Sequence, residues 1–526
     1  MTGSGASIWD LLERRAAATP AAVFALDNRH RSMTFTELHE AAQRAAAGLW
    51  DMGVRSGSVV SWQLPNRVEA AVLTLALSRL GATQNPLIPI LGSREVAFIT
   101  SEAGTGLLVV PGTWRGVDYP ALAASVAAGA RDALQTLVVD RDLPDGDPAR
   151  LGPPPAGLNR WYFYTSGTTA DPKGAIHTDA TLAAGARGFH RALAVTASDR
   201  MSMVIPLTHI GGVIHLIASL ETGCAMVFAE HFDGDTTTRQ LREQGATILP
   251  GGLPFVRSFF AFQDRHPDLS PLFPAGRVMI HGGSPKPSRL HFAAKERLGN
   301  GGVVSGYGMT ECPMLAWCTP DDPDDEIATT EGRPVTGVEV VVVDPTGREV
   351  PVGEEGEILV RGPQLMEGYV NPSLDADAFD PVGRFCTGDL GRIDARGYLR
   401  ITGRLKDVII RNMENISALE LEELLYEHPD VAEVAVIGLP DDRLGEVACA
   451  VVVPAHGAPP PTLDDLCAHL LRAGLSKRKL PERLVVVDHL PRNAMQKVLK
   501  ARLREEVGGT TPSSPSQHSE VREMHL

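Results

Sequence analysis

Residues 161–174 read WYFYTSGTTADPKG, an apolar run followed by small hydroxyl-bearing residues, one glycine, and then proline and lysine. The apolar run predicts a strand, and the small residues predict a loop whose backbone N–H groups can converge on an anion. Hydroxyl groups and a lysine ammonium would add donors and positive charge, so the segment predicts a polyphosphate-binding loop. The candidate binding residues are Thr165, Ser166, Gly167, Thr168, Thr169 and Lys173.

This loop is not a P-loop of the G-x-x-x-x-G-K-[ST] type. Lys173 is followed by Gly174 rather than by serine or threonine, and no earlier glycine stands in the required register. Taken alone, the segment could equally be a polar surface loop between a strand and a helix.

The chain around this loop alternates short apolar runs with helical stretches, which predicts an α/β fold. Residues 36–52 place apolar side chains at helical spacing, and Gly53 then predicts the end of a helix. A strand is predicted at 59–64. Further buried parallel strands are predicted at LLVV from 107, TLVV from 136, MVIP from 203, AMVF from 225 and RVMI from 277.

The texture changes from about residue 330 onward. VEVVVVD, GEILVRG and GYLRITG predict strands joined by tight turns, and hence a mainly β subdomain. After residue 416, helical and apolar segments predict a separate α+β unit of roughly 100 residues. The segment after about 507 has too little apolar content to pack and is predicted to be a disordered tail.

Composition excludes several classes of function. The 526 residues carry a net charge of −15, which disfavours binding to nucleic acid or anionic lipid without a basic patch. The six cysteines show no C-x-x-C spacing and fit a reducing compartment. No apolar run reaches the roughly 18 residues of a membrane span, and the N-terminus lacks the order of a signal peptide. We therefore expect a cytoplasmic protein with no integral membrane segment.

Four further motifs follow the loop in order. They are GYGMTE at 306–311, FCTGD at 385–389, GRLKDVIIRNMENIS at 403–417 and PRNAMQKVLK at 491–500. With the loop, they resemble the adenylate-forming superfamily, which includes acyl-CoA synthetases, nonribosomal-peptide adenylation domains and beetle luciferases. The resemblance covers roughly residues 8–505.

The resemblance implies both a fold and a reaction. The fold would have a large N-terminal domain, 1–402, made of two doubly wound α/β subdomains and a β-rich subdomain. A hinge at 403–407, a small mobile α+β domain at 408–507 and a tail at 508–526 would follow. The enzyme would use ATP with Mg²⁺ to convert a carboxylic acid into an acyl adenylate with release of pyrophosphate, and would then transfer the acyl group to coenzyme A.

The resemblance also implies roles for individual residues. The 165–173 loop would hold the β and γ phosphates, Tyr307 would stack on adenine, and Thr310 would donate to the α-phosphate. Glu311 would bind Mg²⁺, whose preferred ligands are hard oxygens. Lys497 would bridge the substrate carboxylate and the α-phosphate. The remaining implied residues are Gly282, Gly283 and Ser284 beside the adenine, Asp389 and Arg404 at the ribose, Lys406 at the hinge, and His209 at the acyl pocket.

The sequence departs from the family pattern at several positions. Ala170 replaces a common glycine of the phosphate loop, and Gln496 replaces the glycine before the catalytic lysine. Asn412 and Met413 stand where the segment facing the pantetheine arm is usually glycine-rich. These changes keep open an enzyme that loads a separate carrier protein instead of coenzyme A, or a nucleotide-binding pseudoenzyme.

The acid itself remains open among fatty, aromatic, alicyclic and sterol-derived acids. It should be largely hydrophobic, because no aspartate or arginine placed to recognise an amino-acid zwitterion can be assigned from the sequence. Gly211 and Gly212 follow His209, and two small residues at a pocket wall would leave room for a bulky acyl group.

We predict that Lys497→Ala slows acyl adenylate formation about 10²- to 10³-fold, because one preorganised cation is removed from the developing negative charge. The rate of pyrophosphate release measures this effect. Lys477→Ala, which removes a lysine outside the motif, should leave that rate unchanged. Adenylate formation by Lys497→Ala at the parent rate, with unchanged thermal stability, would remove this role.

Overall fold

The computed structural model describes residues 6–157, 159–165, 172–284, 286–299, 301–411, 414–441, 443–492, 498–508 and 522–524. In these ranges no helix combines the length and the apolar character needed to cross a bilayer. The helices of the described residues are α1 (Ile8–Ala18), α2 (Phe35–Asp51), α3 (Val68–Leu80), α4 (Ser93–Glu102), α5 (Tyr119–Gly129), α6 (Asp179–Ala192), α7 (Ile210–Thr222), α8 (Gly234–Glu243), α9 (Leu253–Arg265), α10 (Arg289–Leu298), α11 (Asp324–Thr329), α12 (Ala418–Tyr426), α13 (Leu463–Arg472) and α14 (Lys500–Gly508).

The strands up to the third motif are β1 (Val23–Asp27), β2 (Ser32–Thr34), β3 (Val59–Trp62), β4 (Thr83–Pro86), β5 (Leu107–Val110), β6 (Thr113–Trp114), β7 (Val117–Asp118), β8 (Gln135–Val138), β9 (Arg160–Thr165), β10 (Lys173–Thr178), β11 (Arg200–Met203), β12 (Ala225–Phe228), β13 (Ile248–Pro250), β14 (Val278–Gly282), β15 (Val303–Tyr307), β16 (Ala316–Trp317) and β17 (Arg333–Pro334). The later strands are β18 (Glu339–Val343), β19 (Gly356–Arg361), β20 (Gly368–Tyr369), β21 (Phe385–Ile393), β22 (Leu399–Arg404), β23 (Val408–Arg411), β24 (Glu414–Ser417), β25 (Val431–Asp441), β26 (Gly445–Pro454), β27 (Arg483–Val487) and β28 (Arg522–Met524).

Four main sheets organise these strands. A nine-stranded sheet has the order β17-β16-β15-β14-β13-β11-β12-β1-β2, and a seven-stranded sheet has the order β20-β10-β9-β4-β3-β5-β8. Strands β18, β19, β21 and β22 form an antiparallel third sheet. The fourth sheet contains β23 to β28. We call residues up to 404 the large lobe and residues from 408 the small lobe; a 3-10 turn, Leu405–Asp407, lies between them.

The observed architecture confirms the predicted α/β class with a large N-terminal part and a small C-terminal part. Helix α2 illustrates how local sequence fixes an element. Thr34 accepts a hydrogen bond from the backbone N–H of Glu37, and the Glu37 carboxylate accepts one from the N–H of Thr34. This capping box satisfies two N–H groups that the helix cannot pair internally. The helix ends before Gly53, which has a positive φ of 96°.

One predicted strand is displaced. The strand expected from residue 203 instead spans Arg200–Met203, and the following residues lead into helix α7. A charged residue is not typical of a buried strand, so the sequence did not predict a strand that begins at Arg200. In the structure, the Arg200 side chain donates to the Gln244 carbonyl while its backbone pairs with Ala225. In the region predicted as an unstructured tail, Arg522–Met524 forms β28 beside β27, and residues 509–521 lie outside the described part.

A buried carboxylate joins three distant segments of the large lobe. Asp179 accepts hydrogen bonds from the Trp161 indole N–H at 2.8 Å, the Asn159 amide at 3.0 Å and the backbone N–H of Ile8 at 3.1 Å. Burial raises the pKa of Asp179 to about 6, although these hydrogen bonds favour the ionised form. The contacts tie α1 and β9 to the start of α6, at the end of the β9–β10 strand pair opposite the loop at 165–173.

We predict that Asp179→Ala lowers the stability of the large lobe by about 3 kcal/mol or more, because buried donors lose their acceptor. Thermal unfolding followed by circular dichroism measures the loss. Asp118→Ala is the matched control, since Asp118 is an exposed cap of α5 and its removal should cost only about 1 kcal/mol. Equal shifts for the two variants would contradict this account.

Candidate functional site

The base of the predicted phosphate loop is a pair of antiparallel strands. Thr165 ends β9 and Lys173 begins β10, and the two residues are direct cross-strand partners. Ser166, Gly167, Thr168 and Thr169 lie between them, outside the described residues. The loop therefore begins and ends at one point of the seven-stranded sheet, and its role in phosphate binding stays a prediction.

Lys173 is connected to Glu311 through a tyrosine. The ammonium nitrogen of Lys173 lies 5.8 Å from the centroid of the Tyr369 ring. The Tyr369 hydroxyl donates a hydrogen bond of 3.0 Å to the Glu311 carboxylate. Tyr369 pairs with Ala175 across β20 and β10, which brings it beside the loop base. Two residues that are 138 positions apart in the sequence thus face one region.

Tyr307, Asp389 and Arg404 form a second group. The Tyr307 hydroxyl donates to one Asp389 oxygen at 2.6 Å, and the Arg404 Nε lies 2.7 Å from the other. Burial and the adjacent carboxylate raise the pKa of Tyr307 well above its usual value, so the hydroxyl stays protonated. Asp389 is 2% exposed, whereas Tyr307 is half-buried. The structure brings together the three residues predicted to hold adenine and ribose.

The predicted adenine-edge loop lies next to this group. Gly282 ends β14 and is the parallel partner of Gly306, which directly precedes Tyr307 in β15. Gly283 has a positive φ of 81°, a conformation that favours glycine. Gly282, Gly283 and Ser284 are exposed, and His281 donates from Nε2 to the Ser284 carbonyl at 2.7 Å. Since parallel strands end at one sheet edge, the loop and the Tyr307 segment are neighbours.

A buried histidine supports Thr310. The Nε2–H group of His177 donates to the Thr310 carbonyl at 2.8 Å, and its Nδ1 lies 3.0 Å from the Thr181 hydroxyl. Burial lowers the pKa of His177 to about 4, so the ring is neutral near pH 7. His177 therefore fixes the backbone of the residue predicted to contact the α-phosphate.

His209 and Thr310 line the same narrow cleft. The other lining residues are mostly apolar, and none carries an ionised side chain: Pro86, Leu87, Ile88, Leu91, Phe163, Tyr164, Thr208 and Ile210. His209 caps helix α7 because its Nδ1 accepts a hydrogen bond from the Gly211 N–H at 3.1 Å. Desolvation lowers the pKa of His209 to about 4. The neutral ring consequently carries its proton on Nε2.

The hypothesis that Gly211 and Gly212 leave room for a bulky acyl group needs correction at Gly212. A Cβ atom at Gly212 would lie 2.3 Å from the Pro206 carbonyl oxygen and 2.7 Å from the Leu207 Cα. Gly212 is therefore required by the close approach of the backbone before α7, and it opens no space at a pocket wall.

Several predicted residues lie outside the described ranges: Lys497, together with Ala170, Asn412, Met413 and Gln496. Their roles remain predictions. Lys406 is described, and it occupies the 3-10 turn between the lobes as an exposed residue. Among the described residues, no cluster of three or more histidine, cysteine or acidic side chains could hold a metal ion. The role of Glu311 as a Mg²⁺ ligand stays a prediction; this ion usually keeps water and phosphate oxygens among its ligands.

Three contacting residues were not identified from the sequence. Tyr369 orients Glu311, His177 holds the Thr310 backbone, and Thr208 places a buried hydroxyl, without a hydrogen-bond partner in the described chain, at the cleft. Thr208 directly precedes His209 in the sequence, and this position beside a predicted site residue could have identified it. No spacing in the sequence linked 369 with 311 or 177 with 310.

We predict that Tyr369→Phe raises the Mg²⁺ concentration needed for half-maximal activity about tenfold, because the carboxylate of Glu311 loses the hydrogen bond that orients it. Titration of ATP-dependent activity with Mg²⁺ measures the change. Tyr162→Phe removes a hydroxyl from neighbouring strand β9 and should leave the titration unchanged. An unaltered Mg²⁺ requirement in Tyr369→Phe would show that the contact does not serve the metal.

Comparison with known proteins places the chain in a family. The family model for AMP-binding enzymes matches residues 12–370, and the model for the C-terminal domain of these enzymes matches residues 420–497. A medium-chain fatty-acid–CoA ligase of Escherichia coli is 32% identical over 95% of this chain and 90% of its own length.

Solved structures agree with this match. The ATP-bound structure of MatB from Rhodopseudomonas palustris has a TM-score of 0.82 at 31% identity, over 95% of this chain and 99% of that one. The structure of the same enzyme without ligand gives a TM-score of 0.74 over the same shares, at 30% identity. The arrangement of this chain is therefore closer to the ATP-bound form.

These matches confirm the predicted superfamily, the fold class and the enzyme class of an acid–thiol ligase that uses ATP, Mg²⁺ and coenzyme A. The chain belongs to the AMP-binding enzymes, the adenylate-forming family that includes the acyl-CoA synthetases.

Proposed function

We propose that this chain activates a hydrophobic monocarboxylic acid as an acyl adenylate, with release of pyrophosphate, and transfers the acyl group to coenzyme A. The observation that carries the proposal is the position of Thr310. This residue lines the apolar cleft with His209, and the next residue, Glu311, contacts Tyr369 beside Lys173. An acid in the cleft and a nucleotide on the other side would meet at one residue.

The nucleotide side is built from charges and flat rings. Asp389 already accepts from Tyr307 and Arg404, and a carboxylate has further acceptor positions for ribose hydroxyls. Tyr307 offers a half-buried ring for adenine, and Lys173 offers charge at the base of the phosphate loop. Mg²⁺, when bound at Glu311, would neutralise charge on the phosphates. Attack of the substrate carboxylate on the α-phosphorus, with pyrophosphate as the leaving group, then depends on positioning and on charge stabilisation.

The acid side supplies donors in an apolar surrounding. His209 carries a proton on Nε2, and Thr208 has a buried hydroxyl without a partner among the described groups. A substrate carboxylate could accept from both, and this would satisfy the Thr208 hydroxyl. Because no side chain that lines this small cleft is ionised, a second carboxylate placed among these residues would lack a counter-charge.

Coenzyme A as the acceptor is supported by the named activity of the E. coli relative, which matches nearly the full length of the chain. Asn412 and Met413 replace residues that are usually glycine in the segment predicted to face the pantetheine arm, so transfer to a carrier protein remains the alternative to test. For the location, we propose the cytoplasm. All six cysteines are free thiols in the structure, which fits a reducing compartment.

A panel of carboxylic acids assayed for AMP release in the presence of ATP and coenzyme A tests the proposal. We expect activity with apolar acids, tested as fatty, aromatic and alicyclic examples. We expect decanoate to react at least about 100-fold better than decanedioate, because the latter would bury an unpaired charge.

The alternatives give different results in the same assay. Acyl-AMP that accumulates while coenzyme A is not consumed would favour transfer to a carrier protein. Pyrophosphate release with none of the acids would favour the pseudoenzyme. Equal rates with decanoate and decanedioate would contradict the assignment of the cleft as the acyl site.

A further inference from the structure

Three charged residues connect the two lobes at Glu433. One Glu433 oxygen lies 2.7 Å from the Arg492 guanidinium, and the other lies 3.7 Å from the Arg257 guanidinium. Arg257 also donates to the carbonyl of Ala432, the residue before Glu433. Arg257 belongs to α9 of the large lobe, whereas Glu433 and Arg492 belong to the small lobe.

Arg492 lies at the base of the segment that contains Lys497. Arg492 and Val498 form an antiparallel bridge, and the Leu499 N–H donates to the Pro491 carbonyl at 2.8 Å. These two contacts join the described residues on either side of 493–497 to each other within the small lobe. The ion pair with Glu433 therefore acts directly on the anchored end of that segment.

The other end of the segment is fixed within the small lobe alone. Lys500, at the start of α14, lies 2.7 Å from the buried carboxylate of Glu422 in α12. Glu433 differs from Glu422 because it contacts both Arg492, at the base of the segment, and a side chain of the large lobe, Arg257.

The Arg257 contact requires a particular arrangement of the lobes. Arg257 precedes the turn Leu405–Asp407 and Glu433 follows it, so rotation about this turn would separate them. Burial lowers the pKa of Arg257, and nearby Glu433 opposes this effect. Separation of the lobes would therefore break the ion pair between Arg257 and Glu433. The described arrangement is closer to an ATP-bound relative than to the ligand-free one.

We propose that Arg257, Glu433 and Arg492 are positioning residues for acyl adenylate formation. They hold the small lobe against α9 and fix the base of the 493–497 segment in the pose in which the first half-reaction occurs. The resemblance to the adenylate-forming superfamily implies that the small lobe moves about the hinge at 403–407. With the second half-reaction placed after that movement, the contact between Arg257 and Glu433 is already broken and the step does not depend on it. This inference rests on the proposed two-step function.

The test measures the two half-reactions separately. Pyrophosphate release from ATP and decanoate reports the first, and acyl-CoA formation from preformed decanoyl-AMP and coenzyme A reports the second. We expect Arg257→Gln and Glu433→Gln each to slow the first about tenfold or more, since small misplacement of a catalytic segment is costly. The second should stay within about twofold of the parent rate.

A second cross-lobe ion pair provides the control. Arg289 in α10 lies 4.0 Å from Glu427 at the end of α12, and both side chains are about half exposed. This pair does not lead to residues 493–497. Arg289→Gln should therefore leave both half-reactions within about twofold of the parent.

Two further variants separate positioning from general stability. Arg257→Lys keeps the charge and should recover part of the lost adenylation rate. The double variant of Arg257→Gln with Glu433→Gln should be no slower than the slower single variant, because the residues act through one connection. Thermal unfolding shows whether each variant is folded. If Glu433→Gln does not fold, the two half-reactions of Arg257→Gln decide the test.

Each result decides the proposal. Equal slowing of both half-reactions, unchanged adenylation in folded Arg257→Gln, or the same defect in Arg289→Gln would overturn it. Failure of the parent protein to convert decanoyl-AMP and coenzyme A into acyl-CoA would instead overturn the proposed function. Selective loss of the first half-reaction in both glutamine variants would support the positioning role.

Discussion

The carboxylate of Asp389 is the constraint on which the site depends. It is almost fully buried, and a buried charge is tolerated only when donors compensate for its lost hydration. Tyr307 and Arg404 provide those donors from two other strands. Arg404 is also the last residue of β22, directly before the turn that connects the lobes. The residue expected to hold the ribose is thus bound to the strand that leads into the predicted hinge.

The site divides at Thr310 into a polar and an apolar half. On one side lie Lys173, Tyr369 and Glu311, and on the other lie His209 and uncharged residues. Thr310 is held in place by His177, whose buried and neutral ring donates a hydrogen bond to the Thr310 carbonyl. This separation is chemically suitable for joining an apolar acid to a highly charged nucleotide, because each substrate meets a surrounding of its own kind.

Much of this site could be predicted from the sequence because its main residues stand in short contiguous motifs. Tyr307, Thr310 and Glu311 share one such segment, and Asp389 and Arg404 lie in two others. Tyr369, His177 and Arg257 could not be predicted, because their contacts arise from strand pairing and lobe packing between segments far apart in the chain. The strand at 200–203 was predicted at the wrong position because it begins with an arginine. The prediction for Gly212 was wrong because its close contact with the backbone of Pro206 and Leu207 cannot be deduced from the sequence.

The central claim is that these residues surround one reacting nucleotide. The most direct measurement is a crystal structure of the protein with a non-hydrolysable acyl-adenylate analogue. The account predicts the ribose hydroxyls on Asp389, the adenine against Tyr307 and the Gly283 loop, and the acyl chain in the cleft at His209. An analogue bound with its ribose away from Asp389, or with its acyl chain outside that cleft, would contradict the account.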